Sequence, residues 1–265
     1  MTKKHFIISD SSNYCLRLLN RLTNRVNDYI GDCGYLETAN DEVTKTQFVH
    51  PMGLILNNSS HLLYVIDGLA ESYLKVVDIT TNKTTTLKPL QSRSKYGFIF
   101  GDSFVISYHH GVQILDISDD YEESLAIGST NATGSRDTWF SLSTFNQPHG
   151  IVILDSLLVL VADTENYVVR SLDFNKNTVK SINYTERALA DDGKASESKP
   201  WTLIVVNNNI YIGASDVNGL RIYTATFEGK FCVYISRNYN YEVKIYNSLI
   251  YMLVEVGVVH SKLAS

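Results

Sequence analysis

The 265-residue chain is short of several things, and each shortage removes a class of explanation. Three cysteines are too few for a disulfide-built scaffold, and a chain of this length can bury a core without one. A general affinity for phosphate backbones needs a basic face, and the formal net charge is -5. Charged residues make up 19% and hydrophobic ones 44%, a balance that leaves no room for a long disordered tail. No apolar run approaches the roughly 18 residues that cross a bilayer as a helix. The longest, over residues 151–162, is interrupted by Asp155 and Ser156 and reads as two strands. There is no Gly-x-Ser-x-Gly nucleophile elbow and no Gly-x-x-x-x-Gly-Lys phosphate loop. The opening Met1-Thr2-Lys3-Lys4-His5 is basic, but Phe6-Ile7-Ile8-Ser9-Asp10 is too short and polar for a signal-peptide core. The expectation is that the protein is not secreted or that its true beginning lies upstream.

What is present is a repeat. Ser9-Asp10-Ser11-Ser12-Asn13-Tyr14-Cys15-Leu16-Arg17 lines up with Ala162-Asp163-Thr164-Glu165-Asn166-Tyr167-Val168-Val169-Arg170, and Asp, Asn, Tyr and Arg keep register. A second pair precedes such blocks: Phe48-Val49-His50-Pro51-Met52-Gly53-Leu54 and Phe145-Asn146-Gln147-Pro148-His149-Gly150-Ile151 share Phe, Pro and Gly at equal spacing. Short β-rich runs broken by Asn, Asp, Gly and Thr lie between these anchors, and nothing reads as a long helix. One complete four-stranded meander is expected over 149–155, 157–162, 167–173 and 178–182. Weaker copies begin near Pro51, Gly97 and Pro200, and residues 241–260 read as three more strands. The period, roughly 40 to 57 residues, suits propeller blades.

Phe-x-x-Pro-x-Gly-Ile, an apolar strand ending in Asp, and then Asn-Tyr-x-x-Arg resemble the NHL repeat. The resemblance is strong in the units holding Asp10, Asp67 and Asp163 and weak in those starting at Gly97 and Tyr241. It implies an all-β fold, a β-propeller of six four-stranded antiparallel blades with incomplete terminal blades, formed by residues 1–265 as one domain. With Cys15 in the Asn-Tyr-Cys-Leu-Arg block, the arrangement is also similar to NHL-repeat proteins of invertebrate extracellular matrices and surfaces.

The repeated Asp10, Asn13, Arg17, Asp67, Asp163, Asn166 and Arg170 are expected to be structural. Short Asp and Asn side chains cap the amides of the turn between them, and the arginine reaches the carboxylate from a neighbouring strand. A scaffold needs such a device in every blade, whereas a catalytic site needs it once. The variable residue of Pro-x-Gly should lie at one mouth of the central channel. Met52, Tyr96, His149 and Trp201 hold those places and are the candidate ligand-binding residues, with channel plugging as the alternative.

Enzyme readings find little support. Pro148-His149-Gly150 also resembles the peptide-amidating lyases, whose catalytic zinc requires three protein ligands. Here Met52 and Trp201 hold the other places. His109-His110 sits at an expected turn without a third ligand, and the Asp residues are spread one per blade rather than gathered on one calcium ion. No metal or cofactor is expected. The leading reading is a non-enzymatic propeller, extracellular or at the cell surface, that binds a protein or glycan. The alternatives are an intracellular NHL-type regulator of RNA or protein, in the cytoplasm, and a propeller enzyme of the lyase or calcium-dependent kind. RNA is disfavoured by the net charge, although Arg21, Arg25, Lys83 and Lys88 lie near turns that can share one side.

Aligning the first unit with the Asp163 unit puts a turn at Thr23-Asn24 and sets Cys15 and Cys33 across one strand pair, within reach of a disulfide. Cys232 is then unpaired. Glycosylation sequons occur at Asn57, Asn58, Asn82, Asn131 and Asn183.

Overall fold

A computed structural model describes residues 5–34, 48–57, 60–129, 132–155, 157–182, 198–206, 209–216, 219–226 and 231–232, with backbone alone for 206, 209, 216, 219–226 and 231–232. They form five successive antiparallel sheets. The first holds β1 (His5–Asp10), β2 (Cys15–Asn20) and β3 (Arg25–Ile30). The second holds β4 (Pro51–Asn57), β5 (Leu62–Gly68), β6 (Ser72–Asp78) and β7 (Lys83–Leu90). The third holds β8 (Gly97–Phe100), β9 (Ser103–Tyr108), β10 (Gly111–Asp116) and β11 (Glu122–Ile127). The fourth holds β12 (Pro148–Asp155), β13 (Leu158–Asp163), β14 (Val168–Asp173) and β15 (Thr178–Ile182). The fifth holds β16 (Lys199–Val206), β17 (Asn209–Asp216), β18 (Gly219–Thr226) and β19 (Phe231–Cys232). Strands neighbour one another in chain order within every sheet, so each is a meander. By the repeat alignment, β1, β2 and β3 correspond to the second, third and fourth strands of the other sheets. The fourth sheet matches the expected complete unit closely, and the strands expected over 241–260 lie outside the described residues. The chain divides into two compact units, with the boundary between Ile99 and Phe100.

Burial is graded across each sheet. The second strand is apolar on both faces: in β5 and β13 every residue after the first is buried. The fourth strand is the solvent edge, and β3 and β11 are exposed over their first four residues. Facing sheets bury their apolar faces on each other. In the first unit Leu16 and Ile30 pack with Phe48, Leu63, Val65 and Val77. In the second, Leu160, Ala162 and Val169 pack with Leu203, Ile210, Ile212 and Ala214.

The turn from third to fourth strand is built the same way in four sheets. Asn20, Asp78, Asp116 and Asp173 each end the third strand and accept, on the side-chain oxygen, the amide two residues on. That is an Asx turn. Four residues beyond each of them, at Asn24, Asn82, Asp120 and Asn177, the backbone enters the left-handed region. After glycine, Asn and Asp tolerate that conformation best.

Cys15 and Cys33 are joined by a disulfide, with Cα atoms 5.1 Å apart. Cys15 opens β2 and is fully buried, while Cys33 lies just past β3 in a turn held by the Gly34 amide donating to the Asn13 carbonyl. Cys232 falls in β19, and its side chain lies outside the described residues. Because the bridge spans 18 positions, the chain-entropy model gives it about 3 kcal/mol. Urea unfolding with and without reductant should show a loss of that order, and Cys15→Ser should reproduce it. An unchanged midpoint would mean that the bridge contributes nothing to this sheet.

Candidate functional site

The repeated Asp residues all fall at the ends of second strands, and each is tied to a cation in the third. Asp10 pairs with Arg17 at 2.5 Å, Asp67 with Lys75 at 2.7 Å and Asp163 with Arg170 at 2.8 Å. The ladder fixes this spacing: Asp10 faces Cys15, Asp67 faces Tyr73 and Asp163 faces Val168, and the cation is two residues beyond each partner. Two residues is one full period of a strand, so the cation lies on the face of the residue opposite the aspartate. Below the cation lies the motif phenylalanine. Lys75 sits 5.5 Å from the Phe48 ring centroid and Arg170 4.9 Å from that of Phe145, and both rings are buried.

The amides that these carboxylates cap differ from expectation. Asp163 accepts the Asn146 amide at 2.8 Å, and Asp67 accepts those of Val49 and His50. These donors belong to the segment entering the first strand rather than to the turn between Asp and Asn. In that turn Ser11–Asn13 and Thr164–Asn166 are single 3-10 turns that end in a left-handed Tyr14 or Tyr167. The asparagine side chain donates to the aspartate instead, Asn13 at 2.9 Å and Asn166 at 2.8 Å. Without an acceptor in the strand ladder, the entering amides would be left unmatched next to a buried core.

Arg170 and Asp163 are both fully buried. Burial pushes the Asp163 carboxyl up to about 6, against the pull of the Asn146 amide, Asn166 and Arg170. Arg170 also donates to the Thr144 and Arg136 carbonyls and to Asp137. Asp137 in turn accepts the Ser181 amide and hydroxyl. The segment 134–145 is thereby fastened along β15, with Trp139 bridged to Thr178. No sequence signal marks Asp137, because it stands outside the repeated motif residues.

The residues at Pro-x-Gly positions fall at or just before the start of first strands, with Lys95 in place of proline beside Tyr96 and Thr202 in place of glycine beside Trp201. In the second unit His149 and Trp201 are in contact, with ring centroids 4.5 Å apart and planes at 73°. His149 is buried, and its Nδ1 lies 2.9 Å from the Gln147 carbonyl, which assigns the proton to Nδ1 because a carbonyl only accepts. Trp201 donates from Nε1 to the Ser215 hydroxyl at 2.6 Å. In the first unit Met52 lies in β4 and Tyr96 just before β8, and both are half-buried. The motif glycine is what lets these segments approach. A Cβ on Gly150 would lie 2.6 Å from the Thr202 Cα, and one on Gly53 would lie 2.6 Å from the Lys95 carbonyl oxygen.

Hydroxyls complete the junction between neighbouring sheets. Ser9 donates to the Met52 carbonyl and Ser107 to that of His149, while Ser11 donates to Pro51 and Thr164 to Pro200. All four stand immediately before or after the second-strand aspartate or its counterpart. The signal is visible in Ser9-Asp10-Ser11 and Asp163-Thr164.

Among the described residues no three His, Cys, Asp or Glu side chains gather as metal ligands. The rings of His109 and His110 stack edge to face at 4.2 Å in the β9–β10 turn. Burial holds the His50 imidazole below its ordinary value, with Asp67 acting in the opposite sense. Arg21 lies over the Phe6 ring at 4.8 Å, which engages one cation of the basic group. Arg25 and Lys83 begin β3 and β7, next to their turns.

Two outcomes follow from this geometry. Arg170→Met leaves the Asp163 charge buried without its cation and should cost about 3–5 kcal/mol. Combined with Asp163→Asn, the loss should fall well short of the sum of the single losses, as chemical denaturation of the four proteins would show. Gly150→Ala should cost about 1–3 kcal/mol by overpacking, whereas alanine at the exposed Gly101, with open space around its Cβ, should be penalised only through its left-handed backbone.

Comparison with known proteins agrees with this architecture. The NHL repeat model matches residues 145–170, from the motif phenylalanine to the buried arginine. NHL repeat-containing protein 2 of Bos taurus is 35% identical over 157 residues, 58% of this chain and 16% of that protein. Its Homo sapiens counterpart is 30% identical over 115 residues, 41% of this chain and 15% of that protein. The matched stretches thus span less than a fifth of the length of these curated relatives. An auxiliary nutrient binding protein from Bacteroides thetaiotaomicron superposes with a TM-score of 0.58 at 15% identity, covering 79% of this chain and 53% of that one. A chain of a nidogen/laminin complex gives 0.58 at 10% identity, covering 87% and 74%. These likenesses show the fold. The chain is an all-β propeller that carries an NHL repeat at residues 145–170.

Proposed function

We propose that this propeller binds a protein or glycan without chemical turnover, outside the cell or on its surface. The candidate contact residues are Met52, Tyr96, His149 and Trp201. The observation that carries the reading is how the repeated polar residues are used: Asp10, Asp67 and Asp163 are each paired with a cation of their own sheet. What varies from repeat to repeat is the residue at the Pro-x-Gly middle position, where Lys95 replaces proline before Tyr96. Apolar and aromatic side chains at such positions supply contact area, with a few polar groups to orient a partner. The Cys15–Cys33 disulfide supports the compartment, since such bridges persist where the surroundings oxidise thiols.

The test is a binding screen of the secreted protein against immobilised glycans and extracellular proteins, repeated with Trp201→Ala and with Lys176→Ala. Lys176 stands in the β14–β15 turn, at the other end of its sheet from Pro148. Trp201→Ala should weaken a bound partner at least tenfold, a loss of about 1.4 kcal/mol, and Lys176→Ala should leave it unchanged. Equal losses from both, or conversion of the ligand to product, would contradict the proposal. Binding only to RNA, with affinity falling steeply as salt rises, would favour the intracellular alternative.

A further inference from the structure

We propose that Asn82 carries an N-linked glycan, and that this modification marks the end of the second sheet opposite its Pro-x-Gly end. The proposal rests on the extracellular reading above. Asn82-Lys83-Thr84 is a sequon in the turn between β6 and β7. The turn is formed without help from the Asn82 side chain. Asp78 Oδ1 accepts the Thr80 and Thr81 amides at 2.8 and 3.3 Å and the Thr80 hydroxyl, while the Asn82 amide donates to the Asp78 carbonyl at 2.7 Å. Asn82 is exposed and left-handed, and its carboxamide has no hydrogen bond among the described residues. Asn57 differs: it is half-buried at the end of β4, and its Oδ1 accepts the Ser60 amide. Asn58, Asn131 and Asn183 lie outside the described residues.

Thr84 supplies an independent argument. The places that correspond to it in the first and fourth sheets hold Val26 and Val179, since Arg25, Lys83 and Thr178 open their strands opposite Asn20, Asp78 and Asp173. Thr84 Oγ1 is buried without a hydrogen-bond partner. Folding therefore gains nothing from this hydroxyl, and a buried hydroxyl without a partner is a liability to be explained. The sequon gives one reason for a hydroxyl there, because transfer to asparagine requires Ser or Thr two residues on, whereas Thr178 Oγ1, likewise buried without a partner, belongs to no sequon.

The chemistry needs a lipid pyrophosphate-linked oligosaccharide as donor. The bond from the sugar anomeric carbon to the pyrophosphate oxygen breaks, a new bond forms from that carbon to Asn82 Nδ2, and Nδ2 loses one proton. The lipid pyrophosphate leaves. Because Leu62 pairs with Asp78 while Pro51 pairs with Asp67, the glycan projects from the far end of the sheet and leaves the Pro51 end open to a partner.

The experiment is secretion of the full chain, behind a leader, from glycosylating cells, followed by enzymatic deglycosylation in heavy-oxygen water and peptide mapping. Heavy-oxygen aspartate is expected at position 82. It should vanish in Asn82→Gln and Thr84→Val and persist in Thr84→Ser, and Thr84→Val should melt no lower than the deglycosylated parent. Secreted protein with an intact Cys15–Cys33 bridge and an unmodified Asn82 would overturn the inference while leaving the proposed function standing. Retained protein with three free thiols would overturn both.

Discussion

The structure depends on a buried carboxylate at the end of the second strand. A first strand that enters a sheet through Phe-x-x-Pro presents amides with no partner in the ladder, and proline cannot donate at all. Asp163 and Asp67 accept those amides from across the hairpin. A carboxylate placed there must be balanced, and the third strand supplies Arg170 or Lys75 one strand period beyond the opposing residue. The cation in turn needs an apolar seat that tolerates charge, which the face of Phe145 or Phe48 provides. In the second and fourth sheets, then, residues far apart in the repeat are conditions of one another.

The device also separates scaffold from surface. Once Asp, Asn, Arg and Phe are engaged within the sheet and glycine is taken up by the close approach of first strands, the residue after proline is the one left free to vary, buried at His149 and half-buried at Met52 and Trp201. His149, and Trp201 at the corresponding place in Pro200-Trp201-Thr202, meet there, each held by a hydrogen bond to its own neighbourhood. Side chains fixed in this way would lose little freedom on binding, which suits the contact role proposed for them. The third sheet shows the limits of the device. Tyr108 takes the place of the aspartate and Gln113 that of the cation, both buried, and burial pushes the Tyr108 hydroxyl up to about 12. This is a sheet in which the repeat is hard to see in the sequence.

Much of this is legible without the structure. Strand boundaries of the fourth sheet follow from alternating apolar runs and Asx turns, and the Cys15–Cys33 pairing follows from repeat alignment. Asp, Asn and Arg are legible as a structural set because they recur. Which amides Asp163 caps is not, since the Asn146 donor lies 17 residues away and reaches it only through the β12–β13 pairing. Asp137 is illegible for a related reason: it stands outside the repeated motif, and its contacts to Arg170 and Ser181 cross 33 and 44 residues. The hydroxyl latches from Ser9, Ser107 and Thr164 are written beside the motif, but their carbonyl acceptors sit in the following sheet.

The most direct measurement of the central claim is native-state hydrogen exchange at the amides of Asn146, Val49 and His50. They lie outside regular strands, so a loop without the carboxylate device would let them exchange quickly. If Asp163 and Asp67 organise their sheets, these amides should exchange as slowly as those of β13 and β5, by global unfolding. Exchange at the rate of an open loop, while the strand amides remain protected, would contradict the account.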